Sequence, residues 1–302
     1  MAEKIEIVFL GTGSSIPTKR RNHPAVLLKY KNENILIDCG EGTQRQFRKA
    51  KINPCKVTRI LLTHWHLDHA LGIPGLFKTL SMNGYNKKLL LYGPRGTKEK
   101  IRDYFDLFMI KEKDLDLEVH EVSDGVFFEN DEFVLESAPA DHGIPTVSYS
   151  FSTKEKVRID KKKLEKLKIP NSPLIGDILK GKSVKIGGKI IDGKRLLFKE
   201  PSRKVTFVFD TRMNENSIKL SKDSDLLVCE STYSKEEKDI AEDYGHLTSE
   251  DAANIAKKSK SKKMALVHLS QRYEAVPKKI LEEAKKIFKD VFVPEDLDSV
   301  KV

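Results

Sequence analysis

The segment Thr63–His69, "THWHLDH", places three histidines and an aspartate within seven consecutive residues. It follows the apolar run "RILL" and precedes a segment with glycine and proline, so its polar side chains leave a strand end into a tight loop. Neutral imidazole and carboxylate oxygen are common ligands of zinc in proteins. His64, His66, Asp68 and His69 are therefore candidate metal ligands.

Four candidate ligands exceed the needs of one open catalytic zinc site, which usually takes three protein ligands and a water molecule. Their number therefore predicts two metal ions side by side. Three distant residues end apolar runs in the same way: His142 after "FVLESAPAD", Asp210 after "VTFVF" and His268 after "KMALV". Each alone has a plainer explanation, as a buried histidine or a capping aspartate. Together with residues 63–69 they predict one site at the rim of a sheet.

Short apolar runs of strand length recur along the chain and alternate with helical patterns. No change of composition separates the first segments from the last, so we predict one layered α/β domain over residues 1–302. The predicted strands lie in "KIEIVFLGTG", "NILIDCGEGT", "RILLTHWH", "LLLYGPRG", "FVLESAPADH", "VTFVFDTR", "DLLVCEST" and "KMALVHLS". The predicted helices lie in "GTQRQFRKAKI", "GLFKTLSMNG", "KEKIRDYFDLF", "TSEDAANIAKKSK" and "PKKILEEAKKIFKD".

A lysine-rich segment at residues 153–204 stands apart from this pattern. It contains 17 Lys and Arg against 6 Asp and Glu, an excess larger than the net charge of +10 of the whole chain. Such a sharp change in composition predicts an arm inserted into the main domain. The arm is either a solvated insertion or an element that binds a polyanion, because clustered lysines release counterions from a phosphate backbone. Two shorter basic segments, residues 18–23 and 45–51, leave the same alternatives open.

The remaining composition points to a cytoplasmic protein. The three cysteines are scattered and form no CxxC pair, which argues against a disulfide framework and a thiolate zinc site. No apolar run approaches the roughly 20 residues that span a bilayer, and no cleavable leader precedes the first strand. We therefore expect no association with a membrane.

The H-x-H-x-D-H motif in this setting resembles the hallmark of the metallo-β-lactamase fold, a four-layer αββα sandwich. Within that fold the chain is similar to the ribonuclease Z family, endonucleases that remove the 3′ trailer from precursor tRNA. The resemblance runs nearly end to end, and "GEGTQRQ" (40–46) and "GHLTSEDAA" (245–253) are its most specific parts. Two departures stand out. Phe209 replaces the family's glycine before Asp210, and residues 171–173 read "NSP" where the arm usually has a Gly-Pro turn.

The resemblance implies a zinc-dependent endoribonuclease with two Zn²⁺ per subunit, for which another divalent ion such as Mn²⁺ is an alternative. In such a site the two ions would make a hydroxide available at neutral pH for attack on the phosphodiester, so that the tRNA keeps a 3′-hydroxyl. The family pattern assigns His64, His66 and His142 to one ion, Asp68, His69 and His268 to the other, and Asp210 to a bridging position.

Three residues would move protons in such a reaction. By resemblance, Asp68 accepts the proton of the attacking water while also touching metal. The leaving ribose oxygen needs a proton, and His246, just before a capped helix, is suited to donate it. Glu230 would pair with His246 and keep it protonated, as the corresponding residues do in the family. The plainer alternative for His246 is a helix-entry residue packed against the cap.

The resemblance further implies that the partner is precursor tRNA and that the protein is a homodimer in which one subunit's arm serves the other's site. Fold alone does not fix the substrate, so other functions stay open. One is a different hydrolase on the same scaffold, either a small-molecule phosphodiesterase or a thioester or lactone hydrolase. Another is a non-catalytic RNA-binding protein, which the intact ligand set disfavours.

Overall fold

The computed structural model describes residues 4–111, 114–167, 169, 172–186 and 188–302. Two seven-stranded sheets lie face to face at its centre. The first sheet holds, in spatial order, β18 (Ser299–Lys301), β1 (Glu6–Gly11), β2 (Ala25–Tyr30), β3 (Glu33–Ile37), β4 (Arg59–Leu61), β5 (Leu89–Gly93) and β6 (Leu117–Glu121).

The second sheet is assembled mostly from the later part of the chain. It holds, in spatial order, β17 (Val291–Phe292), β16 (Met264–Val267), β15 (Leu226–Glu230), β14 (Lys204–Val208), β9 (Val147–Thr153), β8 (Phe133–Pro139) and β7 (Gly125–Glu129). Strands β3 to β6 are parallel, as are β14 to β17, and parallel neighbours need crossover connections that helices supply.

Alternation along the strands explains why the sheets are covered on both faces. In β1, Ile7 and Phe9 pack between the sheets, whereas Val8 and Leu10 pack against helices on the outer side. Successive strand side chains point to opposite faces, so an unbroken apolar strand needs a partner on each. Full burial of a side chain of this size stabilises the fold by roughly 1.5–3 kcal/mol.

Helices on the two outer faces complete the four layers. Phe47, Phe77 and Ile101 bring three helices against the first sheet, and Ile255 and Ile280 bring two against the second. The helices beside the first sheet are α1 (Thr43–Lys49), α2 (Leu67–Ala70), α3 (Ile73–Met82) and α4 (Thr97–Leu107). Those in the second half of the domain are α7 (Glu215–Leu220), α8 (Lys238–Tyr244), α9 (Ser249–Lys258) and α10 (Pro277–Lys285).

The predicted four-layer αββα sandwich is thus confirmed. All eight predicted strand segments contain a strand, and all five predicted helical segments contain a helix. The shortest elements and strands such as β2 and β9 were not predicted.

The lysine-rich segment 153–204 leaves the second sheet at the end of β9 and returns at the start of β14, which are neighbours in that sheet. In between, none of its described strands joins either large sheet. The segment has a small hydrophobic cluster of its own around Ile178, Val184 and Leu196. Its elements are β10 (Lys156–Ile159), α5 (Lys161–Lys166), α6 (Leu174–Leu179), β11 (Val184–Ile186), β12 (Lys189–Ile191) and β13 (Leu197–Glu200). Of the departing "NSP" stretch, Asn171 lies outside the described residues, and Pro173 begins α6 as its capping residue.

The three cysteines are all free, in agreement with the absence of a predicted disulfide framework. Within the described ranges, no helix is both long enough and apolar enough to cross a bilayer.

Candidate metal centre

The predicted ligands converge at one edge of the sandwich, where the carboxyl ends of several strands meet. Ligand sites of open α/β sheets form at such edges, because the loops that leave the strands face a common crevice. Asp68 and His69 lie on the single turn of α2, which follows β4. The other predicted ligands lie in the loops that leave their strands: His64 and His66 after β4, His142 after β8, Asp210 after β14 and His268 after β16.

The first group of ligand atoms consists of three imidazole nitrogens and one carboxylate oxygen. His64 Nε2 and His142 Nε2 each lie 3.1 Å from His66 Nδ1. The same two Nε2 atoms lie 3.5 and 3.6 Å from Asp210 Oδ2. Ligand atoms at about 2.1 Å from a tetrahedral ion are about 3.4 Å apart, so these spacings suit one zinc-sized ion.

The second group lies directly beside the first. His69 Nε2 and His268 Nε2 are 3.2 Å apart, and they lie 3.4 and 3.3 Å from Asp68 Oδ2. Asp210 faces this group as well, with Oδ2 at 3.3 Å from His69 Nε2 and Oδ1 at 3.3 Å from His268 Nε2. Asp210 is therefore placed between the two groups, where it can contact both ions.

An orphaned atom supports the assignment of this cluster to metal binding. Asp210 is almost completely buried, and its Oδ1 accepts no hydrogen bond from any residue in the described part of the chain. A buried carboxylate oxygen without a donor is costly, and a bound cation removes that cost. The residues present thus fit a pair of divalent ions.

Burial and neighbouring histidines favour the neutral form of His64 and His66 in the first group. Burial lowers the pKa of His64 well below its ordinary value, and the neighbouring His69 lowers it further. Burial and His142 likewise lower the pKa of His66. A neutral imidazole is the form that binds metal.

In the second group, the surrounding carboxylates stabilise a positive charge on His69. Burial alone would lower the pKa of His69, but Asp210, Asp68 and Asp38 together raise it well above its ordinary value. Burial would raise the pKa of Asp68, yet His69 and His268 hold it below its usual range, so the carboxylate is ionised at neutral pH.

Several ligand rings are oriented by a hydrogen bond from the ring nitrogen that faces away from the cluster. His69 Nδ1 donates to Asp38 Oδ2 at 2.7 Å, and His142 Nδ1 donates to the carbonyl oxygen of Gly245 at 2.7 Å. Such partners fix which nitrogen carries the proton and leave the other free to bind metal. Asp38 was not predicted, although it ends the apolar run "NILI" in the way that Asp210 ends "VTFVF".

His246, which is partly exposed, and the fully buried Glu230 form an ion pair next to the second group. His246 Nδ1 lies 3.2 Å from Glu230 Oε1, which also accepts a hydrogen bond from the backbone N–H of Thr211 at 2.7 Å. Burial alone would lower the pKa of His246, but Glu230 and Asp210 outweigh it and raise the pKa to about 9. The imidazolium form is therefore favoured at neutral pH. Glu230, His246 and His268 come close enough to form a third ligand set, but the hydrogen bonds to Glu230 already account for its carboxylate.

Phe209, the departure before Asp210, does not displace the ligand. Its side chain is buried between the sheets and meets the ring of His69 edge to face, with 6.1 Å between ring centroids. It therefore forms part of the apolar floor beneath the cluster.

The two short basic segments come together at one surface pocket of about 390 Å³. Lys19 and Arg20 line it from the loop after β1, and Arg45 and Lys49 line it from α1. Arg21 also lines this pocket but is largely buried, and it donates to Thr12 Oγ1 at 2.6 Å and to the carbonyl oxygen of Pro294 at 2.8 Å. One of the three cations of the loop is therefore structural.

The sandwich and its ligand cluster define a protein of the metallo-β-lactamase fold with a candidate two-metal centre. A solved metallo-β-lactamase fold protein from Bacillus subtilis has the same fold, with a TM-score of 0.72 and 17% identity over the full length of both chains. The human short form of tRNase Z is similar with a TM-score of 0.70 and 25% identity, over 98% of each chain.

The sequence narrows the class to a family. Ribonuclease Z from Methanothermobacter thermautotrophicus is 39% identical over 305 residues, which is 99% of this chain and 97% of the relative. The chain belongs to the ribonuclease Z family, and its residues 5–162 also match the family model described as anti-Pycsar protein Apyc1. That match ends before Asp210 and His268, whereas the ribonuclease Z similarity includes both.

Proposed function

We propose that the protein is an endoribonuclease that removes the 3′ trailer from precursor tRNA. One observation carries the proposal: two ligand groups that share Asp210 lie together in a chain whose whole length matches ribonuclease Z. A metal pair of this kind suits hydrolysis of a phosphodiester, because it can stabilise both the entering and the leaving oxygen of an in-line displacement.

We assign two Zn²⁺ ions to the centre, with Mn²⁺ as the alternative. His64, His66 and His142 would hold one ion, Asp68, His69 and His268 the other, and Asp210 would contact both. The predominance of imidazole nitrogen supports zinc over magnesium or calcium, which prefer oxygen ligands. When bound, such ions make a water molecule available as a nucleophile at neutral pH and polarise the phosphodiester.

The chain's own residues would carry the protons. Asp68 is ionised and lies at the second ligand group, where its carboxylate can accept the proton of the attacking water. His246 lies at the edge of the cluster with 14% of its side chain exposed, so it can donate a proton to the leaving ribose oxygen. Glu230 keeps that proton on His246.

RNA recognition is assigned to the basic surfaces. The excess of positive charge in the arm at 153–204 is larger than the net charge of the whole chain. The arm leaves the second sheet, in which β14 precedes Asp210 and β16 precedes His268. The basic pocket between the loop after β1 and α1 lies on the same domain, and that loop begins beside His268, since Gly13 pairs with Leu269. A-form RNA is recognised through its phosphates and 2′-hydroxyls, which lysine and arginine suit.

A homodimer and a cytoplasmic location stay predictions from the sequence. Sedimentation of the purified protein across a concentration range measures the first: a mass twice that of the 34.4 kDa chain is expected.

A direct comparison of substrates tests the proposal against a small-molecule phosphodiesterase. The zinc-loaded protein is incubated with a precursor tRNA and, separately, with a chromogenic phosphodiester. We expect kcat/KM for the tRNA to be far higher, because the arm and the basic pocket bind only the large substrate. A higher kcat/KM for the small ester would overturn the assignment to tRNA. If the protein hydrolyses neither substrate, the proposal that it is an enzyme is overturned.

A further inference from the structure

The hydroxyl of Thr232 lies between a predicted metal ligand and the proton-donating pair. Thr232 follows β15 by two residues, and its side chain is buried. Its Oγ1 is 2.6 Å from Glu230 Oε2, 2.8 Å from His268 Nδ1 and 3.4 Å from His246 Nδ1. Thr232 is not among the site residues predicted from the sequence.

The directions of these hydrogen bonds follow from the number of protons available. Glu230 accepts from the backbone N–H of Thr211 and from His246, so its carboxylate acts as an acceptor. A hydroxyl has one hydrogen, and Thr232 donates it to Glu230 Oε2. Thr232 Oγ1 is then the acceptor for His268 Nδ1–H.

This arrangement fixes the tautomer of His268. With the proton on Nδ1, the lone pair lies on Nε2, which is 3.3 Å from both Asp68 Oδ2 and Asp210 Oδ1. Metal can bind only the nitrogen that carries no proton. The backbone of His268 also has a φ of 58°, in the left-handed region that few side chains adopt, so the ring depends on its contacts to hold this position.

A second threonine repeats the arrangement on the other side of the cluster. Thr63 Oγ1 donates to Asp38 Oδ2 at 2.8 Å and lies 3.0 Å from His64 Nδ1. Thr63 and Thr232 thus have the same role in the hydrogen-bond network. The hydroxyl of each threonine connects a buried carboxylate to a histidine of the cluster.

We propose that Thr232 is a positioning residue whose hydroxyl holds His268 in the tautomer that binds metal and connects it to the Glu230–His246 pair. The proposal rests on the proposed function, since it requires a metal at the second ligand group. Through Glu230, one hydroxyl orients both a metal ligand and the proton donor.

The experiment measures Zn²⁺ affinity by competition with a chromogenic chelator, so that its readout does not depend on cleavage. Thr232→Val removes the acceptor for His268 Nδ1–H while keeping the size of the side chain. Loss of such an orienting partner typically weakens metal binding by about 10–100-fold. We expect that loss for one of the two ions, the other ion binding as in the wild type.

Two further variants distinguish the effect of the hydroxyl on Zn²⁺ affinity from the effect of side-chain packing. Thr232→Ser keeps the hydroxyl and should restore Zn²⁺ affinity to near the wild-type value. Thr206→Val is the matched control, because Thr206 is equally buried but bonds Ser224 away from the cluster, and it should bind both ions normally. Thr232→Ala provides a second removal of the hydroxyl should the valine variant not fold.

Normal binding of both ions by Thr232→Val or Thr232→Ala would overturn the role of Thr232 and leave the proposed function intact. An equal loss of Zn²⁺ affinity in Thr232→Ser and Thr232→Val would also overturn the role of the hydroxyl, because changed packing would then explain the loss. A wild-type protein that binds neither Zn²⁺ nor Mn²⁺ would overturn both the proposed function and this inference.

Discussion

At the scale of single residues, Asp210 has the central position because its carboxylate faces both ligand groups. His69 Nε2 and His268 Nε2 each lie 3.3 Å from one of its oxygens, and His64 Nε2 lies at 3.5 Å. A shared carboxylate would keep two cations close despite their mutual repulsion. We therefore expect loss of this one side chain to affect both proposed ions rather than one.

Asp210→Ala tests this position. Metal ions supply several kcal/mol of transition-state stabilisation, so we expect kcat on precursor tRNA to fall by about a thousandfold or more. Binding of the tRNA should persist, because the basic arm is unchanged. The measurements are single-turnover cleavage and metal content, with the exposed Asp131→Ala as the control. Near-normal turnover with unchanged metal content would remove Asp210 from the site.

His246 should matter only where the leaving group needs a proton. A general acid contributes about 10²–10⁴-fold, whereas a phenolate leaves without protonation. His246→Ala should therefore slow RNA cleavage far more than hydrolysis of an ester with an acidic phenol. His120→Ala, a histidine on β6, serves as the control. Equal slowing on both substrates would assign His246 a structural role.

The Glu230–His246 pair also predicts a dependence on pH. A proton donor with a pKa of about 9 is protonated below that pH, so kcat/KM for RNA should fall as the pH rises through about 9. Glu230→Gln removes the charge that raises this pKa, and the alkaline decline should then begin at a lower pH. The exposed Glu236→Gln should leave the profile unchanged. A decline that stays in place in Glu230→Gln would separate Glu230 from the titration of His246.

At the scale of elements, the strands that precede the predicted ligands were predicted because each contains a short run rich in apolar residues, with a polar residue soon after it. Strand β9, "VSYSFST", was not predicted, because its serines interrupt the apolar pattern. Ser148 and Ser150 are nevertheless buried, and α7 packs against this strand. The small serine side chains let α7 approach β9 closely. The sequence of the strand alone does not show that a helix packs against it. The hydrogen bonds of Thr63 and Thr232 were not predicted for a related reason. The partners of a threonine hydroxyl depend on residues that are distant in the chain.

The arm can be tested as an element because its base is already closed. Thr153 and Arg203 exchange hydrogen bonds of 2.9 Å at the point where β9 and β14 meet. Replacing residues 155–200 by a short Gly/Ser turn should therefore leave the sandwich and all seven predicted ligands in place. Binding of precursor tRNA should weaken and depend less on salt, because fewer counterions are released in each complex.

Hydrolysis of a chromogenic phosphodiester is the control for the arm deletion, and we expect it to survive. Misfolding would abolish both activities together, so the paired result identifies the arm. If the deleted protein binds precursor tRNA with full affinity and an unchanged salt slope, the arm is a solvated insertion and the main domain alone binds RNA.

At the scale of the whole molecule, one edge of a four-layer sandwich brings together the predicted metal ligands and the proposed proton donor. The predicted ligands come from both sheets, so the proposed centre requires the two halves of the domain to be packed together. The proposed function is tested most directly by mapping, from both ends of the RNA, the position of the cut in a precursor tRNA incubated with the zinc-loaded protein. We predict one cut at the 3′ end of the acceptor stem, with a 3′-hydroxyl on the tRNA and the phosphate on the trailer. Cuts scattered along the RNA, or a phosphate left on the tRNA, would contradict it.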